Sequence, residues 1–234
     1  MAYESLKKIY YQEPGKYEEA YLSRFNSSTT KHIDITIHQY NHKNEYPLFY
    51  CYDESIINSI ISILHEKYEL DKLLADIPMV IVDQFIKSSI VEEVKSTNDI
   101  EGVRSTKKEI RLALAKQNTD SENLRLWRVV NKYLSLLNNN LKNFKTCTDI
   151  RNFYDEFILK EVVADNSENA PDGIIFRKES VSVCTGTDRI IHQGLYPEKL
   201  ITAAMEHALS ILNDENKPLL VRVTIFHYLF GYIH

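Results

Sequence analysis

Apolar positions recur three and four residues apart over most of this chain, the spacing of one face of an α-helix. Ile56, Ile57, Ile60, Ile63 and Leu64 mark a helix over Asp53–Asp76 with Asp53 or Ser55 as N-cap, and this stripe is expected to be core. Val82, Phe85, Ile86, Ile90 and Val94 mark another over 78–101, where Pro78 suits the first helical position because its missing N–H is no loss there. Gly102 readily takes the left-handed conformation that ends a helix. Thr106 and Glu109 have the T-x-x-E spacing of a capping box, so the next helix is expected over 106–117. Further helices are expected over Ser121–Asn143, with the tryptophan Trp127 in the core, and over Thr148–Val162. Pro197–Asn213 follows with Leu200, Ala204, His207 and Ile211 inward, and a last helix after Pro218 has Leu219, Val223, Phe226, Phe230 and Ile233 as its buried stripe.

Strand signals are few. Ile33, Ile35 and Ile37 alternate with polar neighbours over His32–Tyr40, a half-buried strand in a tyrosine-rich region that is otherwise poorly periodic. Val181–Cys184, the turn Thr185–Asp188 and a return over Arg189–His192 read as a hairpin. Ala164–Gly173 is a loop rich in turn formers, and Asn138–Asn140 mark fraying toward a turn. The expected fold is mainly α, a helical bundle with a β-hairpin and a small N-terminal strand region, divided into regions 1–117 and 118–234.

Composition narrows the classes. The 234 residues carry 28 basic and 33 acidic side chains for a net charge of −5, so no polycationic character argues for nucleic acid. Cys51, Cys147 and Cys184 form no C-x-x-C pair and no disulfide framework. With no apolar leader at the N-terminus and no apolar run of membrane length, a cytoplasmic location without membrane partners is expected. The motifs G-x-x-x-x-G-K-S/T, G-x-G-x-x-G, H-E-x-x-H and G-x-S-x-G are all absent, which removes the nucleotide enzymes, zinc proteases and hydrolases recognisable by them. No metal site is expected: His38 and His42 would meet only on a helix, whereas the alternation there is that of a strand. Arg104, Lys107, Lys108 and Arg111 read as a solvated face, with a phosphate or partner site as the alternative.

Glu101 stands out. It lies in the last turn of a helix, where the macrodipole disfavours a carboxylate by a few tenths to roughly 1 kcal/mol. Two readings stay open on physics alone: a solvated surface acid, or a carboxylate held to meet a cation elsewhere.

The run Thr97-Asn98-Asp99-Ile100-Glu101-Gly102 resembles the inhibitory-helix motif of Fic-family proteins, S/T-x-x-x-E-G/N. Phe176-Arg177, the hairpin, His192-x-Gly194 and Pro197-Glu198 are similar to the family's flap region. Phe226–His234, FHYLFGYIH, is like the approach to the signature HPFx(D/E)GNGR. The similarity covers roughly residues 30–234, with the three segments in family order. It implies a Fic-type fold and a protein adenylyltransferase that moves AMP from ATP and Mg²⁺ to a Ser, Thr or Tyr hydroxyl of a protein substrate. By the resemblance, His234 is the catalytic base, Thr97, Glu101 and Gly102 belong to the inhibitory segment, and Glu101 blocks placement of the γ-phosphate. Val181, Ser182, Val183 and Cys184 would register the target as an added strand. Two alternatives are removal of AMP from a modified protein with the help of Glu101, and a non-catalytic interaction module. Because the sequence stops at His234, the rest of the signature is not in it. The 234-residue chain is therefore expected to be inactive, to hold ATP and Mg²⁺ weakly, and to self-associate as a homo-oligomer or be poorly stable through exposed apolar surface.

Overall fold

The computed structural model describes residues 3–100, 102–115, 126–137 and 143–234. Over these the protein is mainly helical, with two small two-stranded antiparallel sheets and no helix long and apolar enough to cross a membrane. The chain divides into two compact units, Met1–Asp76 with Cys184–His192, and Ile77–Val183 with Gln193–His234.

The first unit begins with helices α1 (Leu6–Gln12) and α2 (Tyr17–Phe25), which sequence periodicity does not reveal. Strand β1 (Thr30–His38) forms where alternation predicts a strand and pairs with β2 (Glu45–Cys51), from His38 opposite Glu45 to Thr30 opposite Cys51. β2 escapes the alternation test because Tyr46, Leu48, Phe49 and Tyr50 are apolar on both faces, and Pro47 demotes it. Rings hold α2 to this ribbon: Phe25 lies 4.5 Å from His32 and 5.3 Å from Phe49, centroid to centroid. His32 is thus a packing residue, and no cluster of metal-ligating side chains exists among the described residues.

α3 (Glu54–Ala75) starts with Asp53 as its N-cap, the carboxylate accepting from the Ile56 N–H at 2.9 Å. Its apolar stripe is not core. None of the 22 residues is buried, and Ile56, Ile57, Ile63 and Leu64 are 43%, 44%, 51% and 57% exposed. Periodicity locates an apolar face and leaves open whether anything covers it.

In the second unit α4 (Met79–Ile100) begins one residue later than Pro78, whose carbonyl accepts from Val82 as a cap. Its first half stays exposed, Phe85 at 64%, while Ile90, Val91 and Val94 pack with Ile110 and Ala113 of α5 (Lys107–Ala115) and Val130 of α6 (Trp127–Leu137). Val94 and Ile110 are fully buried, worth roughly 1.5–3 kcal/mol each. The turn between α4 and α5 follows the sequence. Gly102 has φ +72°, and Thr106 and Glu109 exchange capping bonds of 2.8 and 3.2 Å. Lys107 pairs with Glu92 at 2.6 Å, which ties one residue of the expected basic face to α4. Trp127 is only half-buried; Leu126, held at φ +67° and 1% exposed, fills the core beside it.

The expected helix over Thr148–Val162 breaks at Ile158 into α7 (Cys147–Phe157) and α8 (Leu159–Asp165). Thr146 and Asp149 cap α7 reciprocally at 2.8 and 3.2 Å. The hairpin forms as expected, with β3 (Ser182–Cys184) one residue shorter and β4 (Ile190–Gln193) shifted by one position, the Thr185 N–H donating to the Arg189 carbonyl at 2.9 Å. α9 (Glu198–Leu212) packs on α10 (Leu219–Ile233), but through faces rotated from those expected. Leu200 is 52% exposed, and Ile201, Met205, Ala208, Leu209 and Ile211 are buried; opposite them lie Val221, Ile225, Leu229 and Ile233, while Leu219 is 60% exposed. Both helices carry apolar residues at adjacent positions and α10 is apolar almost all round, so several stripes fit the sequence equally.

Candidate functional site

α10 delivers His234 at its end, the His234 N–H donating to the Phe230 carbonyl at 3.0 Å. Helix ends leave carbonyls without intrahelical partners, and here two groups supply them. The Leu195 N–H donates to the Ile233 carbonyl at 3.0 Å. The Arg177 Nη2 donates to the carbonyls of Ile233 and His234, each at 3.1 Å, placing a cation where the macrodipole favours one. Burial pulls the Arg177 guanidinium below its usual range, opposed by Asp172. Its Nε is buried without a partner.

Gly194 makes this contact geometrically feasible. A Cβ there would lie 2.0 Å from the His234 carbonyl oxygen and 2.2 Å from Arg177 Nη2, so any other residue would force the two backbone segments apart. The Gly194 N–H in turn donates to the Val181 carbonyl at 2.9 Å, continuing the hairpin ladder up to the end of α10.

Arg177 is itself held from behind. The Glu198 carboxylate, at the first turn of α9, accepts from the backbone N–H groups of Ile175 at 2.6 Å, Phe176 at 2.8 Å and Ile174 at 3.0 Å. The Phe176 bond first, then those of Ile175 and Ile174, keep its carboxyl below the usual range. Gly173 leaves room for it: a Cβ would sit 2.8 Å from the carboxylate. Arg151 fixes the same segment by donating to the Ile175 carbonyl at 3.2 Å while Asp155 holds its Nε at 2.8 Å.

Beside this clamp is a cavity of about 490 Å³, mostly apolar, with Tyr154, Phe176, Met205 and Phe230 among its walls; its polar lining is mixed in charge, Arg151, Arg177 and His234 with Glu168, Asp172 and Glu179. That size suits a small ligand. Among the sequence-selected site residues, the structure brings together His234 and Val181, which both line this cavity. Ser182, Val183 and Cys184 lie along exposed β3 and do not line it; nor do Thr97, exposed on α4, or Gly102. Glu101 lies outside the described residues. Arg177 and Glu198 were visible in sequence only as neighbours of the hairpin. Their roles depend on partners 56 and 22 residues away, respectively Ile233 and Phe176, which no local spacing encodes.

Compared with known proteins, the chain matches no family model, no curated protein and no solved structure.

Proposed function

We propose that this chain is the N-terminal and central part of a Fic-type protein adenylyltransferase, autoinhibited through Glu101. The reading rests on the order of the inhibitory-like, flap-like and signature-approach segments in the sequence. The observation that carries it further is the clamped exit of α10. His234 leaves the helix at a point fixed by Arg177, Leu195 and the bare backbone of Gly194, at the lip of a cavity that Val181 also lines.

In this reading the His234 imidazole takes the proton from a target hydroxyl as that oxygen attacks the ATP α-phosphate. AMP is transferred to the hydroxyl oxygen and pyrophosphate leaves. Arg177 and Glu198 act on the position of His234, by holding the carbonyls and the segment that frame it. ATP and Mg²⁺ require a phosphate-holding loop after His234, and such a loop would start where the clamp ends.

The test begins with the gene beyond codon 234. A continuation with Pro-Phe and the glycine-asparagine-arginine loop is expected. The extended protein should then label a target from α-labelled ATP, more strongly with Glu101→Gly and not at all with His234→Ala. A stop codon after His234, or an extended Glu101→Gly protein that transfers nothing, overturns the proposal.

A further inference from the structure

We propose that the cavity beside the α10 exit binds a small organic cation, a protonated amine carried on an aromatic or aliphatic body. The inference rests on the walls of that cavity and on no step of the AMP-transfer reading.

Size and apolar lining set the body of the ligand. At about 490 Å³ and mostly apolar, the cavity lies within the range of small-molecule sites. Among its walls, Ile201 and Met205 of α9 and Ile233 of α10 are buried residues of the helix pair. Three rings, Tyr154, Phe176 and Phe230, add flat apolar surface, and Phe230 remains 40% exposed although it lines a concave wall.

The polar lining sets the head group. Both of its guanidiniums are already engaged by the protein. Arg151 donates its Nε to the Asp155 carboxylate at 2.8 Å and its Nη1 to the Ile175 carbonyl at 3.2 Å. Arg177 donates to the carbonyls of Ile233 and His234, each at 3.1 Å. Asp172 is likewise occupied, its carboxylate accepting from the Lys178 N–H at 2.7 Å and the Glu179 N–H at 3.3 Å. Glu168 and Glu179 differ, because among the described residues neither carboxylate has an ion-pair or hydrogen-bond partner. His234 apart, two guanidiniums thus stand against the four carboxylates of Asp155, Glu168, Asp172 and Glu179. An anion entering the cavity meets this excess as repulsion, and a cation meets it as attraction.

The aromatic walls favour the same sign, since the face of a ring attracts a cation. Tyr154 offers a further point of contact. Its hydroxyl has no hydrogen-bond partner among the described residues and can accept from an ammonium N–H. The body of an amine would displace water from the apolar walls, leaving its head for the exposed carboxylates of Glu168 and Glu179.

Isothermal titration of the full chain with phenethylamine tests this, beside two probes of matching shape, neutral phenethyl alcohol and anionic hydrocinnamate. A saturable amine site is expected, with the alcohol bound about tenfold more weakly and the carboxylate more weakly still. Glu168→Gln with Glu179→Gln keeps the shape of the lining and removes its two unpaired charges. Neither side chain bonds to the fold, so the double variant should melt like wild type. Its affinity for the amine should fall by about tenfold while that for the alcohol stays the same. An amine that does not saturate, an alcohol or carboxylate that binds as tightly, or a double variant that keeps its full preference for the amine would each overturn the proposal. The readout is binding and not transfer, so each of these outcomes is distinct from a failure of the AMP-transfer reading.

Discussion

α10 and α3 are both rich in aliphatic residues at helical spacing, yet they end in opposite environments. α10 has 15 residues, buries Val221, Ile225, Leu229 and Ile233 against α9, and has its last carbonyls taken by Arg177 and Leu195. α3 has 22 residues and buries none. Each has a well-defined start, so local signals do not separate them. What separates the two helices is what their ends and faces meet, and only the first buries its face within its own unit.

Truncation measures the contrast most directly. Leu229→Ala removes a side chain that is 2% exposed and should lower unfolding free energy by about 2–5 kcal/mol in a denaturant titration. Ile61→Ala, 58% exposed on α3, should stay within about 0.5 kcal/mol of wild type. Equal effects would erase the distinction.

Cysteine chemistry sharpens it next. Cys147 is 3% exposed, and burial pushes its thiol from 9.0 up to about 11, leaving roughly a hundredfold less thiolate at neutral pH. Cys184 is exposed on β3. Mass spectrometry after brief alkylation should find Cys184 modified and Cys147 untouched until denaturant is added. Alkylation of Cys147 in the native protein would show that the α7 end is open.

The clamp on α10 is tested by Gly194→Ala. The added methyl must displace the His234 carbonyl or Arg177, at an expected cost of about 1–3 kcal/mol, whereas Gly186→Ala meets nothing within 4 Å. Faster hydrogen exchange at the Leu195 amide should accompany the first substitution and not the second.

Acid titration should reveal a smaller effect. The Glu198 carboxyl is held below its ordinary value of 4.5, so its stabilisation is fully present above that value and is lost as pH falls through the lowered folded value. Its side chain is partly solvated, so Glu198→Gln should remove only about 1 kcal/mol at neutral pH and flatten the acid limb of the stability profile. An unchanged limb would mean that the three N–H bonds contribute nothing.

What was legible in the sequence was local. The Thr106–Glu109 box, the left-handed Gly102, the Asp53 cap and the Thr185–Asp188 turn each depend on residues within a few positions of one another, and each forms. The mainly helical class follows from the same short-range spacing. The apolar faces of α9 and α10 were misjudged by a rotation because consecutive apolar residues make several stripes equivalent until a partner selects one. β2 was hidden by a strand apolar on both sides. At the candidate site, His234 was singled out only through the family resemblance of FHYLFGYIH, and the groups that hold its carbonyl were not. The Arg177 contact bridges 56 residues to Ile233, and Glu198 reaches back 22 residues to Phe176. Those are properties of the folded chain.

The half-buried Trp127 at the start of α6 has a practical consequence. It is the chain's one tryptophan, against 15 tyrosines, and it belongs to the second unit. Excitation selective for indole therefore illuminates only the unit that carries the α10 clamp, while tyrosine and far-ultraviolet signals record both. The protein thus carries its own optical label, and a melt followed by two colours of light would read one unit against the whole.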